Sequence, residues 1–275
     1  YNLPPWLAQI AASRNGRPRI RQFFYLTEGE IDYLPDAPDT AAEGNPYFQV
    51  LGVKLWHDGS PYTGSMYTSA PYLDTPLVRT LGITPGSHGE AMIKQDVLAE
   101  KIRHYGEQGW QVAIHSQGDR SNREVVAALA QAGELNGPAP RVRLEHGVFM
   151  PSDSVAELSR LGGTASFHIH HIKYYGNALA DSIVGRQAAM QVLPVKKAFA
   201  LGMQPTLHAD SPMFPPLPFA LMQTAMNRSS DQGLVLNAPE GIDIRQAMRA
   251  MTINGAIQLR QADRTGSLET GKLAD

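Results

Sequence analysis

The feature that most constrains this chain is an alternation of short apolar, strand-like runs with segments of helical spacing, the runs ending on ionisable side chains. Four of them show it plainly: Val53-Lys54, Val112-Ala113-Ile114-His115, Val142-Arg143-Leu144-Glu145-His146 and Thr206-Leu207-His208-Ala209-Asp210. Strands alternating with helices at this spacing build parallel βαβ units, because parallel strands need a crossover between them. Polar groups at the carboxyl ends of successive parallel strands converge on one mouth, where such architectures carry their chemistry. The pattern therefore predicts an α/β fold of the barrel kind, with a site at one end.

Read along the chain, a short helix is expected over residues 5–13, a strand over 19–26, a loop over 35–46 and a strand over 47–55. Residues 61–90 are rich in Gly, Pro, Ser and Thr, and long connections of this sort are lids or are disordered. Ile93, Val97, Leu98, Ile102 and Tyr105 then recur at helical spacing, and Gly106 and Gly109 stop the helix. A strand follows over 110–114. Ser121-Asn122-Arg123-Glu124 has capping-box spacing and opens a helix that Gly133 closes. Further strands are expected over 141–144, 164–167 and 204–207, with helices over 154–161, 194–202, 219–226 and 244–257; Pro194 suits a first turn.

This makes six strands where a closed barrel needs eight. The expectation is a TIM-type (β/α)8 barrel, incomplete in this chain, with the missing strands before Tyr1. Residues 1–258 are read as the partial barrel, and 259–275 as the start of a C-terminal β-sandwich segment.

A length of 275 residues suits one barrel-sized domain, and 43% apolar with 18% charged residues is ordinary globular composition. A net charge of −2 gives no reason to expect nucleic acid or an anionic membrane as partner. No apolar stretch is long enough to span a bilayer. The expected partner is a small-molecule substrate, and a homo-oligomer is left open. No targeting pattern is read, so a cytoplasmic location is only the default. With no Cys, any metal must be held by nitrogen and oxygen donors.

Lys54, His115 and His146 form the candidate metal set, since imidazole is the commonest ligand for zinc-like ions. Each has a plain structural alternative: a snorkelling lysine, or a hydrogen-bonded core histidine. Their joint placement at strand ends shifts the balance. Asp210 is a candidate proton carrier beside a divalent ion, with a turn aspartate in Asp210-Ser211-Pro212 as its alternative. His168 and His170, two apart, would lie on one side of a strand. They read as a metal pair, a substrate contact or a polar loop-facing segment.

These residues carry a resemblance. Val53-Lys54 with Asp58-Gly59-Ser60, Ile114-His115 with Gly118-Asp119-Arg120, Arg143-Leu144-Glu145-His146 and Ala209-Asp210-Ser211-Pro212 together resemble the amidohydrolase superfamily. More narrowly the chain is similar to amidohydrolase family 3, the branch of YtcJ-like proteins and N-substituted formamide deformylases. Thr252, Asn254-Gly255-Ala256 and the run Gly266-Ser267-Leu268-Glu269 through Gly271-Lys272-Leu273-Ala274-Asp275 resemble the family's exit from the barrel.

The resemblance implies a metal-dependent hydrolase of carbon–nitrogen bonds in an amide, formamide or cyclic amide, using one or two divalent ions, zinc above others. It makes Lys54 a bridging ligand, carboxylated on its amine. His115, His146 and Asp210 become further ligands, with Asp210 also the proton shuttle. His171 is implied as a substrate contact, and His168 and Asp58 are grouped with it. Two departures stand out: no histidine precedes Lys54, so the family's first-strand His-x-His pair is absent, and His208 stands where the family commonly has a small residue. The other readings are a catalytically incompetent barrel that binds a small molecule, and a metal-free phosphate-binding barrel, for which no Gly-rich loop is found. By the strand count, the 275-residue chain alone is expected to be a poor catalyst.

Overall fold

Runs such as Val50-Leu51-Gly52-Val53 and Val112-Ala113-Ile114 are apolar on both faces, as strands buried between a helical layer and a packed interior require. The structure, a computed structural model, describes residues 20–33, 47–133 and 142–274. The strands are β1 (Gln22–Thr27), β2 (Phe48–Trp56), β3 (Gln111–Ser116), β4 (Val142–His146), β5 (Thr164–Phe167) and β6 (Thr206–Leu207). They form one sheet in the order β1-β2-β3-β4-β5-β6, and every neighbouring pair is parallel.

The sheet is curled. Gln258 reaches β5 through Thr164 Oγ1 at 2.9 Å and β6 through Thr206 Oγ1 at 3.1 Å, while its carbonyl accepts from Gln111 Nε2 of β3 at 3.4 Å. In a flat sheet β3 and β6 would lie about 14 Å apart, beyond the span of one residue. Tyr25 of β1 likewise donates to the Gln111 side chain across β2. Six parallel strands curved around a polar interior make an incomplete TIM-type barrel. Gly52 sits where the β1–β2 register shifts, and a Cβ there would lie 1.8 Å from the Gln111 carbonyl oxygen, so only glycine fits the bulge.

The helices are α1 (Pro76–Thr80), α2 (Gln95–Glu107), α3 (Asp119–Ala132), α4 (Ser152–Arg160), α5 (His170–Ala178), α6 (Arg186–Ala189), α7 (Val195–Ala200), α8 (Pro218–Asn227), α9 (Ile244–Met251) and α10 (Ile253–Gln258). Leu98 and Ile102 of α2, Val125 and Leu129 of α3, and Val155 and Leu158 of α4 are buried, as the 3.6-residue period of their apolar faces dictates.

Four expectations are corrected. Ser121 is not a cap: α3 begins at Asp119, and the Ser121 hydroxyl is buried between His57 and Ser116. The helix expected over 244–257 is two helices, broken at Thr252, whose backbone leaves helical space at φ −131° and ψ −97°. Residues 61–89 are an ordered cap. Met66, Tyr72, Val78 and Ile83 are buried within it, α1 lies inside it, and Leu73 N–H bonds the Ile183 carbonyl at 3.0 Å. Fourth, β5 stops at Phe167, so His168 and His170 do not share a strand face. The helix expected over 5–13, the loop over 35–46 and the strand's start at residue 19 lie outside the described residues. No helix among the described residues is long and apolar enough to cross a membrane.

Candidate metal centre

The site is set by strand register. His115 of β3 pairs with Glu145 of β4, Ser116 with His146, and His146 with Phe167 of β5. Pairing runs past the strand ends: His168 N–H bonds the His146 carbonyl at 3.2 Å, and His208 N–H bonds the Phe167 carbonyl at 3.0 Å. Four imidazoles are thereby lined up along the carboxyl edge. Ring centroids lie 4.4 Å apart for His115 and His146, 5.0 Å for His146 and His208, and 5.0 Å for His168 and His208.

His146 has φ 76° and Asp210 φ 52°. Non-glycine residues seldom adopt such values, and those that do cluster at functional sites. Alternation along β4 turns Arg143 and Glu145 inward, where they form an ion pair at 2.8 Å. The positive φ at His146 accompanies its ring lying against His115 and His208.

The sequence-predicted ligands are not all brought together. Side-chain nitrogens of His146, His168 and His208 lie within 4.8 Å of one another, the one such group of three among the described His, Asp and Glu residues. His115 is beside His146, but its Nε2 is turned to the Gly59 carbonyl at 3.3 Å, with Asp58 Oδ1 at 3.7 Å. Lys54 projects from β2 with Nζ 5.6 Å from the Trp56 ring. Asp210 is exposed at the rim, and its carboxylate and the Lys54 ammonium each feel the other's charge.

Burial sets the protonation states. It lowers the pKa of His115 to about 4 and that of His168 to about 3, and holds His146 and His208 well below the ordinary imidazole value. Neutral imidazoles present lone pairs, the form in which they bind cations. Burial also lowers the Lys54 ammonium, against the attraction of Glu145. The Asp210 carboxyl is raised by desolvation, with Glu145 adding to the effect and Lys54 opposing it.

Asp58, grouped with the substrate contacts on sequence, is fully buried and faces main chain instead. Its oxygens accept the N–H groups of Gln117 at 2.9 Å, Gly118 at 2.9 Å and Tyr67 at 3.0 Å. That ties the cap to the loop after β3. Gly118 permits the approach, since a Cβ there would lie 1.9 Å from the Tyr67 carbonyl oxygen.

His171, on the first turn of α5, is buried with Nδ1 2.6 Å from Tyr62 Oη, and its Nε2 has no hydrogen-bond partner. His170 packs against Tyr174 and Phe214. His208 escaped assignment on sequence although the signal was present: strand parity places it with Thr206 on the inner face, opposite Leu207.

A family model, described as the amidohydrolase family, matches residues 11–275. The chain is 26% identical over 226 residues to the protein LONG AFTER FAR-RED 3 of Arabidopsis thaliana, which covers 82% of this chain and 37% of that one. To an N-substituted formamide deformylase of Arthrobacter pascens it is 25% identical over 167 residues, 61% of this chain and 31% of that one. The crystal structure of an uncharacterized metal-dependent hydrolase from Pyrococcus horikoshii superposes with a TM-score of 0.79 at 23% identity, covering 98% of this chain and 52% of that chain. The chain thus spans about half, or less, of the length of the relatives it matches.

Proposed function

Because this chain belongs to the amidohydrolase family, we propose that its mouth is the centre of a metal-dependent hydrolase that cleaves a carbon–nitrogen bond in an amide, formamide or cyclic amide. The observation that carries the reading is the gathering of neutral imidazoles, with Lys54 and Asp210, at the carboxyl edge of a parallel sheet.

The donors fit a divalent ion. They are nitrogen and oxygen only, zinc-like in preference, and burial holds the His115 and His146 imidazoles neutral. His115 and His146 would hold the ion with Lys54, whose amine, after adding carbon dioxide and losing a proton, would present a carboxylate, and Asp210 would close the set; His115 Nε2, which lies at the Gly59 carbonyl, would turn toward His146. When bound, a divalent ion polarises the substrate carbonyl and makes a water acidic enough to give up its proton near neutrality. Asp210 takes that proton on a carboxylate oxygen and passes it to the departing nitrogen, so amide and water become acid and amine. Its raised pKa suits both halves of the transfer. His171 Nε2 and His168 line the substrate side. Residues 259–275 are read as the start of a second unit.

The test is hydrolysis of a panel of N-formyl and N-acyl amines by the 275-residue protein with added zinc. Turnover by this chain alone is expected to be weak, to need zinc, and to fall about 10²–10⁴-fold in Asp210→Asn, the usual worth of a positioned acid–base. The thermal midpoint of Asp210→Asn should match the parent. A variant that keeps its turnover but loses stability would make Asp210 a turn residue. A second reading, a barrel that binds a small molecule without catalysis, is favoured by one observation: His115 Nε2 is turned to the Gly59 carbonyl at 3.3 Å. Binding of panel compounds with no turnover in the presence of bound zinc would select it.

A further inference from the structure

We propose that His146, His168 and His208 form a three-imidazole cation site of their own, contributed by the ends of β4, β5 and β6. The inference rests on the geometry of these side chains and not on the hydrolase reading. The set differs from the one the family resemblance implies: it shares His146, leaves out Lys54, His115 and Asp210, and adds two residues that the resemblance gave no metal role.

Three observations support it. First, the nitrogens are close enough: all three residues offer one within 4.8 Å of the others, and His146 Nδ1 and His208 Nε2 face each other at 3.1 Å. Two nitrogens on one tetrahedral ion at about 2.1 Å would stand about 3.4 Å apart. Small ring rotations bring the third into range.

Second, the outer hydrogen bonds fix which nitrogens are bare. His168 Nε2 donates to the Ala209 carbonyl at 3.1 Å, so the proton is on Nε2 and the lone pair on Nδ1. That Nδ1 is buried and has no partner. His208 Nδ1 meets Ser166 Oγ at 2.8 Å, which directs Nε2 toward His146. Ligating imidazoles are ordinarily oriented in this way, through the nitrogen that does not bind the metal.

Third, the unpaired buried His168 Nδ1 is a costly arrangement for a protein to keep, and it sits beside a His146–His208 pair that shares a single proton between two facing nitrogens. A divalent ion would satisfy all three lone pairs and leave a fourth position for water or substrate. Imidazole-only coordination selects the zinc, cobalt, nickel and copper group over magnesium or calcium. All three ligands come from successive strand ends within the described residues, so the site needs no further strand to be complete. Arg143 and Lys54 oppose a cation at His208, while Glu145 and Asp210 attract the Lys54 ammonium.

The test is titration of the 275-residue protein with cobalt(II) and with zinc, followed by calorimetry and by the visible absorption of the cobalt form. One equivalent with a low-symmetry four-coordinate spectrum is expected. His168→Gln and His208→Gln should each abolish that spectrum and weaken zinc by more than the roughly 10–100-fold that outer-shell changes cost. Ser166→Ala should weaken it about 10-fold, and His115→Gln should retain the spectrum. Unfolding midpoints establish that each variant is folded; if a glutamine variant is not, His208→Asn takes its place. A spectrum lost in His115→Gln or Lys54→Met but kept in His168→Gln and His208→Gln overturns the inference while leaving the hydrolase reading standing. Absence of any bound cobalt overturns it too, and the hydrolysis panel then judges the other reading separately.

Discussion

On the flank of the mouth formed by β2 and β3, Asp58 spends its carboxylate on three main-chain N–H groups. His57 bonds Ser121 Oγ at 2.9 Å through Nδ1 and lies 3.3 Å from Glu124 through Nε2. On the flank formed by β4, β5 and β6, His168 Nδ1 and His171 Nε2 have no partner, and His146 and His208 lean on each other. Both flanks bury ionisable groups. The first satisfies its central carboxylate within the protein and so builds a scaffold. His57 Nε2 there lacks a hydrogen-bond partner but lies against the Glu124 carboxylate; the second flank leaves lone pairs with no such charge beside them, the state of a site made for something else to complete.

If the contrast is real, acid should attack the second flank hardest, and this is the largest effect expected. A free imidazole takes its proton near pH 6.5, while His168 holds out to about 3 and His115 and His57 to about 4. Between those values the unfolded chain binds more protons, so stability falls as pH falls. Each imidazole that stays neutral withdraws about 1.4 kcal/mol per pH unit below roughly 6. His146, His171 and His208 are depressed further and act in the same direction. Asp58 acts the other way: its folded carboxyl titrates near 7 against an ordinary 3.8, so it gains stability as pH drops through that window. Asp210, whose carboxyl burial also raises, acts with Asp58, and these two carboxyls are outweighed by six imidazoles. The unfolding midpoint should decline steadily from pH 6.5 to 5. A flat profile over that range would mean the imidazoles are not held neutral.

Asp58→Ala sharpens the scaffold side. It strips two buried donors and a part-buried one of their acceptor, and each orphan costs about 1–3 kcal/mol. A loss of at least about 3 kcal/mol is expected, a drop of about 6–12 °C in midpoint for a chain of this size. His168→Gln, by contrast, removes one unpaired nitrogen and one hydrogen bond, to the Ala209 carbonyl, and should cost less, about 1 kcal/mol. Equal losses from both variants would erase the difference between the flanks.

Zinc tests the other side. An ion that binds only the folded chain adds about 2.7 kcal/mol at a hundred times its dissociation constant, or about 5–10 °C in midpoint. The gain should vanish in His208→Gln and persist in Asp58→Asn. Stabilisation that survives His208→Gln would place the ion elsewhere.

The fold was legible because periodicity and length speak directly: all six strands lie close to where their apolar runs predicted. Polar residues at the ends of β2, β3 and β4 likewise announced a mouth. What failed depended on where a strand stops or a side chain turns. His168-Ile169-His170 has strand spacing, yet β5 is four residues long and α5 starts at His170 with no capping residue to signal it. Ser121 satisfied a capping pattern that tertiary packing overrode, since its hydroxyl is taken by His57 and Ser116. Thr252 breaks a helix without glycine or proline. Asp58 sits in a loop, where no period reports that an oxygen will face three amides. Which histidine nitrogens lack partners is a tertiary fact with no trace in the sequence.

The smallest effect expected concerns the bond that joins the two flanks. Tyr62 belongs to the cap that Asp58 anchors, and its hydroxyl lies 2.6 Å from His171 Nδ1 on the other side. Its ring also stacks on His171 at 5.5 Å and tilts against Tyr175 at 4.3 Å. Tyr62→Phe keeps those ring contacts and deletes one hydrogen bond to a buried nitrogen. The expected cost is about 1 kcal/mol, or about 2–4 °C in midpoint. Because His171 is outside the proposed three-imidazole set, zinc affinity should change less than about threefold, under 0.7 kcal/mol. A larger change in affinity would mean that the cap helps to position the imidazoles, and that scaffold and site are one network and not two.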